Sequence, residues 1–186
     1  ELKSIYPDLC AEFILYNQDE YIEVTKDIPM DQDLLEELLF SQKIEEEKAN
    51  ILLNNYGPKY MTVRIAENLH NLSDSRHIGL FDAAWSLLDE NGKRNLLFDN
   101  LPILNANKFE TCFSELPQWY SGFSDRSRKH DVELQNTEDN HKLAERLKEV
   151  SYIKSYAVNQ KESYDPVTET KIRKDVLLCK VKKCIS

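Results

Sequence analysis

The sequence has no apolar run approaching roughly 18 residues and no signal-peptide pattern, so nothing in it predicts a membrane span or export. None of its four cysteines forms a C-x-x-C pair or stands at zinc-finger spacing from a histidine. This disfavours a structural zinc site and favours reduced, buried thiols. A basic excess is absent as well, because the net charge is −9 and the pI about 5.0. That argues against a module that holds nucleic acid through counterion release.

What remains is the composition of a folded domain. At 186 residues with 41% hydrophobic residues, the chain is long enough for one core and too apolar for a disordered segment. We expect a single domain over 1–186, cytoplasmic and monomeric in isolation. The chain begins with Glu1 rather than Met, and we expect further sequence before it. The acidic excess suits a site for a hard divalent cation, with surface acidity for solubility as the alternative.

Two neighbouring segments near the start of the chain have the composition of β-strands. Residues 12–16 and 20–26 are rich in aromatic and β-branched residues, and the polar residues 17–19 between them favour a turn. Two such runs around a short turn predict a β-hairpin.

A helical pattern follows. Residues 31–55 carry leucines and alanines at intervals of three and four, which predicts a helix with Asp31 or Asp33 as its N-cap. The Gly-Pro pair at 57–58 is a terminator. Residues 60–66 alternate like a strand, and a helix between strands points to a parallel crossover.

These elements predict an α/β fold, with a small mixed sheet (hairpin plus crossover strand) flanked by helices over residues 5–66. Residues 67–186 are expected to form a helix-rich lobe with a possible C-terminal strand pair. Its expected elements are a helix over 138–150 with Thr137 or Asp139 as N-cap, and strands over 152–159 and 174–182 around a turn at Asp165-Pro166.

Asp8 and Glu23 are the candidate metal ligands. In a hairpin the start of one strand lies beside the end of its partner, so these carboxylates would converge although they are far apart in sequence. Two close carboxylates repel unless a cation lies between them, and a divalent metal there can bind a water and a phosphate oxygen together. The alternatives are a capping role for Asp8 and a solvent-facing strand position for Glu23.

Pro7-Asp8, a hairpin, an acid on the next strand, then a helix and another strand resembles the layout of the PD-(D/E)xK nuclease superfamily, which has a restriction-endonuclease-like core. In most members a lysine follows two residues after the acid. That position is Thr25 here, and Lys26 would point to the opposite face.

One branch of that superfamily looks closer, because it moves the lysine onto the following helix. Glu23-Val24-Thr25 followed by Lys43 is similar to the cap-snatching endonuclease domain of bunyavirus-like, and best the phlebovirus-like, L polymerase proteins. That family also places a histidine or acid on a helix before the Pro-Asp pair. In this sequence only six residues precede Pro7.

The resemblance implies a metal-dependent RNA endonuclease with two Mn²⁺ or Mg²⁺ ions that cleaves capped host RNA to make primers. Asp8, Glu23 and the backbone carbonyl of Val24 would hold the metal. Lys43 would be the catalytic lysine, acting with both carboxylates, and Lys48 is its substitute. The implied partners are single-stranded or capped RNA and the remainder of a viral polymerase, in the host cytoplasm.

A non-catalytic interaction or scaffold module is the alternative. It would be either an inactive nuclease-like fold or an RWD-like domain, since residues 2–8 of this chain resemble the opening of RWD domains. Under that reading Lys43 is a surface lysine lying along the apolar stripe. The basic residues over 126–130 could contact RNA phosphates or form a solvated loop.

Overall fold

The computed structural model describes residues 7–24, 28–72, 78–116 and 131–182, with the backbone alone at 7–9, 23 and 24. The chain divides into two compact units, Glu1–Asn100 and Leu101–Ser186. Described helices fill the first unit, and a β-sheet lies in the second, so the mixed α/β class is confirmed. No helix in these ranges is both long enough and apolar enough to cross a membrane.

The first unit is built from short helices around a leucine-rich core. Its elements are α1 Pro7–Tyr16, a π-helical segment Asp19–Val24, α2 Gln32–Leu39, α3 Glu46–Tyr60, α4 Val63–Glu67, α5 Leu69–Leu72, α6 Ile78–Trp85 and α7 Glu90–Asp99. The largest side chains buried in this core are Leu34, Leu35, Leu38, Leu52, Leu53, Ile65, Leu80, Phe81, Leu97 and Phe98.

The hairpin predicted over residues 12–26 is wrong. Residues 12–16 belong to α1, and 20–24 belong to the π-helical segment. The buried positions here recur at intervals of three or four, at Ala11, Ile14, Leu15, Gln18 and Ile22. Burial therefore follows the period of a helix and not the period of two of a strand. Packing of α1 against α2 outweighs the β-propensity of these side chains, which depends strongly on context.

The single helix predicted over 31–55 forms as two, α2 and α3, on either side of a loop at 41–45. Asp31 is the N-cap of α2, since its carboxylate accepts a hydrogen bond from the Leu34 N–H at 2.8 Å. That satisfies one of the amide groups left unpaired at a helix start. The predicted leucine stripe is buried along both helices.

The Gly-Pro pair at 57–58 does not end α3, which continues for two more residues. A Cβ at Gly57 would overlap the Leu80 side chain, so glycine lets α3 pack closely against α6. The strand predicted over 60–66 is wrong, because α4 begins there. The Thr62 hydroxyl caps α4 by accepting from the Ile65 N–H at 3.2 Å, and this local bond favours a helix start over an extended chain.

The second unit contains a three-stranded antiparallel sheet. Its elements are a 3₁₀ turn Leu101–Ile103, α8 Ala106–Ser114, β1 Val132–Gln135, α9 Glu138–Glu149, β2 Ile153–Asp165 and β3 Thr170–Val181. The strand order is β1–β3–β2, with both pairings antiparallel. Among the described residues, the sheet therefore lies near the C-terminus, whereas it was predicted near the N-terminus. Its strands are antiparallel, so the predicted parallel crossover is wrong for this sheet.

One face of this sheet is buried, and α9 covers it. Leu134 pairs with Leu177, and both are buried. Leu143 and Leu147 of α9 are fully buried as well. The predicted helix over 138–150 is confirmed with Thr137 as its N-cap. The predicted C-terminal strand pair is also confirmed, and both strands run closer to their turn than expected.

Candidate functional site

The predicted metal ligands do not lie on a ribbon of two strands. Asp8 is in the first turn of α1, and Glu23 and Val24 end the π-helical segment. Their side chains lie outside the described part of the chain. The antiparallel pairing that was expected to bring the two carboxylates together is absent from these two segments, so the site loses its geometric argument and stays a prediction.

Lys43 lies in the 41–45 loop and not on a helix as the resemblance implied. Its Nζ is 3.0 Å from Oε2 of Glu12 on α1, with the two side chains 66% and 60% exposed. An exposed ion pair contributes only about 0–1 kcal/mol, because water screens it and both side chains lose freedom. The contact holds Lys43 toward α1, and the Glu12 carboxylate is already paired with this ammonium group.

Lys48, the substitute candidate, has a different environment. It sits in the first turn of α3 with its side chain only 3% exposed, and its Nζ is 3.0 Å from Oδ1 of Asp19. The Asp19 side chain is 88% exposed. A buried ammonium group needs a compensating charge and hydrogen bonds, since its desolvation is costly. Asp19 supplies a charge from the solvent side.

Gln18 joins the same region through its side-chain amide. The Nε2 group donates to the carbonyl of Lys43 at 2.7 Å, and Oε1 accepts from the N–H of Glu45 at 3.0 Å. Gln18 is a buried polar residue, and these two bonds satisfy it while fixing the 41–45 loop. We call Glu12, Gln18, Asp19, Lys43 and Lys48 the α1–α3 clamp.

The α1–α3 clamp has the chemistry of a structural link. Each of its lysines has a carboxylate within 3.0 Å, so the charges are compensated in pairs and the acids are not turned toward a shared cation. Across the part of the chain that the structure describes, no three His, Cys, Asp or Glu residues are grouped to hold a metal ion. The clamp therefore ties the end of α1 to the start of α3.

Sequence reasoning assigned Gln18 to a turn and missed its role. The available signal was its spacing, because Ile14, Gln18 and Ile22 recur every four residues, as on one helix face. The pairing of Glu12 with Lys43 spans 31 residues, and no local pattern predicts it. The basic cluster over 126–130 lies outside the described residues.

A second candidate surface lies where β2 and β3 run past β1. Strand β1 pairs with β3 only from Val176 to Cys179, whereas β2 and β3 stay paired as far as Asp165 and Thr170. Every residue over 157–164 and over 170–175 is exposed. We call these two stretches the distal ribbon.

The pairs across the distal ribbon are mainly polar. Arg173 donates to its direct partner Glu162 at 3.2 Å. Lys161 stands opposite Lys174 and reaches Glu133 on β1 at 2.8 Å. Opposite charges across a strand pair stabilise it by about 0.2–1 kcal/mol, and like charges destabilise it. These pairs fix the register of the ribbon without burying it.

The turn at the tip of the ribbon is held by Asp165. Its carboxylate accepts from the N–H of Val167 at 2.9 Å. This bond and the Thr168 hydroxyl lower the pKa of Asp165 below its ordinary value, because they stabilise the charged form. Glu169 has φ 53°, the left-handed conformation that closes the turn. Val167 itself is 89% exposed.

The base of the ribbon is anchored. The hydroxyl of Tyr156 donates to Oε2 of Glu145 on α9 at 2.7 Å, and this hydrogen bond raises the pKa of Tyr156. On the neighbouring strand β3, Cys179 stands opposite Tyr156 and is buried. Burial raises the pKa of the Cys179 thiol to about 11. The ribbon is thus fixed at one end by the core of the second unit and exposed along the rest of its length.

Comparisons with protein-family models, with curated proteins and with solved structures gave no match for this chain. The nuclease resemblance therefore stays a prediction that rests on the quoted residues alone.

Proposed function

We propose that this chain is a non-catalytic protein-interaction module and that the distal ribbon is its binding surface. The observation that carries the proposal is the exposure of all residues over 157–164 and 170–175, although both stretches are ordered as paired strands. Ordering a residue costs about 1–2 kcal/mol of backbone entropy. Two-stranded ribbons that bury little surface are only marginally stable in water.

A bound partner would supply the burial that the ribbon lacks. Apolar side chains are already present for such a contact, with Tyr164 63%, Val158 47% and Ile172 43% exposed. Val158 and Tyr164 lie on one face of the ribbon and Ile172 on the other, as the alternation of side chains in paired strands requires. A partner that contacts either face would gain apolar area together with hydrogen bonds to the flanking charged groups.

The competing hypothesis is the metal-dependent RNA endonuclease with Asp8, Glu23 and Lys43. The described side chains offer it little support, because Lys43 already has the Glu12 carboxylate as its partner. Without the hairpin, nothing in the backbone requires Asp8 and Glu23 to meet. We therefore place the interaction module first.

A shortened ribbon tests the proposal. Removing residues 160–163 and 172–175 deletes four consecutive pairs and keeps the alternation of the remaining residues. All eight deleted residues are exposed, so the thermal midpoint of the rest of the chain should hardly change. A photo-reactive phenylalanine analogue at Tyr164 should give discrete cross-linked products in extract of the source cells. Unlabelled full-length chain should compete them away, and unlabelled shortened chain should not.

The matched control is the same analogue at Tyr16, which lies on α1 and is 90% exposed. Because that side chain is remote in sequence from the ribbon and at least as accessible, it should not give the same products. If both positions label the same proteins, or if the shortened chain competes as well as the full-length chain, the ribbon is not the binding surface.

A further inference from the structure

The solvent-facing side of α1 continues into the π-helical segment. The chain keeps its helical turn between the two elements, since the N–H of Tyr21 donates to the carbonyl of Asn17 at 3.0 Å. Exposed side chains recur along it at intervals of three and four, which places them on one side of the helix. They are Glu12, Phe13, Tyr16, Asp19 and Glu20, and we call them the α1 outer face.

Two aromatic rings of the α1 outer face lie in water. Tyr16 is 90% and Phe13 55% exposed, and within the described ranges the other exposed aromatic side chain is Tyr164 of the ribbon. Phe13 makes an edge contact with Tyr21, with ring centroids 5.1 Å apart. Tyr16 has no ring contact, side-chain hydrogen bond or cation within the described part of the chain. Both faces of the Tyr16 ring are therefore open to a ligand.

The carboxylates of the same face are only partly engaged. Glu12 contacts Lys43 through Oε2 alone, and the exposed side chain of Glu20 has no partner among the described residues. Glu45 adds an exposed acid nearby, because its N–H is bonded to the glutamine of the α1–α3 clamp at 3.0 Å. The two clamp lysines offset Glu12 and Asp19, so Glu20 and Glu45 leave this surface with an excess of negative charge. That charge is complementary to a cation.

Another helix of the first unit shows what an acid and an aromatic ring at this spacing can hold. Glu36 and Phe40 stand four residues apart at the end of α2. The guanidinium of Arg64, from α4, lies 3.9 Å from the centroid of the Phe40 ring, and its Nη1 is 3.9 Å from Oε2 of Glu36. The ring and the carboxylate thus contact one guanidinium together.

The second unit contains the same combination. Arg146 of α9 donates from Nε and Nη2 to the two oxygens of Glu110 at 2.8 and 3.0 Å, and its guanidinium carbon is 5.7 Å from the ring centroid of Phe113. Glu110 and Phe113 stand three residues apart on α8. A planar guanidinium can stack on a ring and donate two parallel bonds, whereas an ammonium group is a compact, strongly hydrated charge.

Glu12 and Tyr16 form a third pair, with the four-residue spacing of the α2 pair, and no arginine of the described residues contacts it. We propose that the α1 outer face binds an arginine-bearing segment of another protein, with one guanidinium stacked on Tyr16 and donating to Glu12 and Glu20. This inference goes beyond the proposed function, because the surface lies on the first unit and not on the ribbon.

The length of the face favours a peptide segment over a single small cation. Glu12 and Glu20 are eight residues apart, which is about 12 Å along a helix. An extended chain covers that distance in about four residues, so two arginines separated by two or three residues reach both ends. Phe13 provides an apolar surface for their aliphatic stems.

The test is a titration of the ¹⁵N-labelled 186-residue chain with a capped hexapeptide that has arginine at its second and fifth positions and glycine elsewhere. The amide resonances of residues 12–21 should shift as the peptide binds. The same peptide with lysine in place of arginine should bind at least about threefold more weakly, because ammonium groups neither stack nor donate in parallel.

Substitutions on the face separate the ring from the charge. Tyr16→Leu keeps an apolar side chain without the ring, so it should raise the dissociation constant of the arginine peptide about two- to fivefold, the size of an exposed cation–π contact. Tyr16→Phe keeps the ring and should bind like wild type. Glu20→Gln should raise the dissociation constant about twofold. Glu67→Gln is its matched control, because it removes the same charge from an exposed position on α4, and it should leave the dissociation constant unchanged.

Three results would each overturn the inference, because they would show only a general attraction to an acidic chain. They are equal binding of the arginine and lysine peptides, equal effects of Glu20→Gln and Glu67→Gln, and shifts confined to residues outside 12–21. Self-association of the chain that Arg126→Gln with Arg128→Gln abolishes would also overturn it, since a second copy would then occupy the face. The chain with the shortened ribbon should bind the peptide like wild type, so failure here leaves the proposed function standing.

Discussion

The ion pair between Lys48 and Asp19 offers a sharp test of whether Lys48 is a structural or a catalytic lysine. Its ammonium group is buried, with the side chain 3% exposed, and the Asp19 carboxylate lies 3.0 Å away on the solvent side. Asp19→Asn removes the negative charge of this pair and leaves the ammonium in place. Lys48→Met removes the ammonium and keeps an unbranched apolar stem, so the two substitutions should have different effects on stability.

The magnitude follows from the unequal burial of the two partners. Breaking a fully buried pair costs about 3–5 kcal/mol, and an exposed pair contributes about 0–1 kcal/mol. Asp19 is 88% exposed, so water partly replaces it and we expect Asp19→Asn to lower the free energy of unfolding by about 1–2 kcal/mol. Lys48→Met should cost less than about 1 kcal/mol, because apolar replacement of a buried charge is often neutral.

The double variant completes the cycle. Asp19→Asn should add almost nothing once Lys48 is methionine, which gives a coupling energy of about 1 kcal/mol or more between the two positions. Urea unfolding followed by the fluorescence of Trp85, in a Trp119→Phe background, measures the first unit specifically. Trp85 lies on α6 of that unit.

Glu12→Gln is the control, because it breaks the exposed pair with Lys43 by the same chemical change. It should alter the free energy of unfolding by less than about 0.5 kcal/mol. Additive effects of Asp19→Asn and Lys48→Met, or an effect of Asp19→Asn no larger than that of Glu12→Gln, would refute the reasoning.

Three further predictions concern the thiols and the metal. At pH 8 iodoacetamide should modify the partly exposed Cys10, while the buried Cys179 stays protected. A pKa of about 11 instead of 9.0 reduces its thiolate roughly hundredfold. Because the pKa of the Cys179 thiol is raised in the folded protein, its contribution to the free energy of unfolding is present below pH 9.0 and is lost as the pH rises from 9.0 to about 11. Cys179→Ala should remove this part of the loss of stability at alkaline pH. For the metal, we expect millimolar Mn²⁺ to give no rise in melting temperature that depends on Asp8 and Glu23. A rise that both alanine substitutions abolish would revive the nuclease hypothesis, since a ligand bound only to the native state stabilises it.

Local chemistry predicted several elements well. Asp31 and Thr137 are N-caps as expected, because a short polar side chain can accept a bond from an amide three residues later, whatever lies around it. The C-terminal strand pair around Asp165-Pro166 has the same origin, since the turn and its two flanking β-rich runs are adjacent in sequence. Where the stabilising contacts are local, the sequence pattern was sufficient.

Residues 12–26 could not be assigned in this way. Their aromatic and β-branched composition favours strands, but what decides is whether a strand or a helix buries more of them. The helix buries Ala11, Ile14 and Leu15 together, and it does so against α2, whose position depends on the rest of the unit. The candidate metal site failed at the same step, because convergence of Asp8 with Glu23 was inferred from this hairpin.

The distal ribbon shows the converse case. The first strand of the pair was predicted to end at residue 159, and residues 160–163 beyond it are all polar. The structure continues the strand to Asp165 with both faces exposed. A lack of alternation is what a ribbon with solvent on both faces requires. The polar composition of these residues therefore leaves them available to a partner, and burial among the described residues gives no other reason for their length.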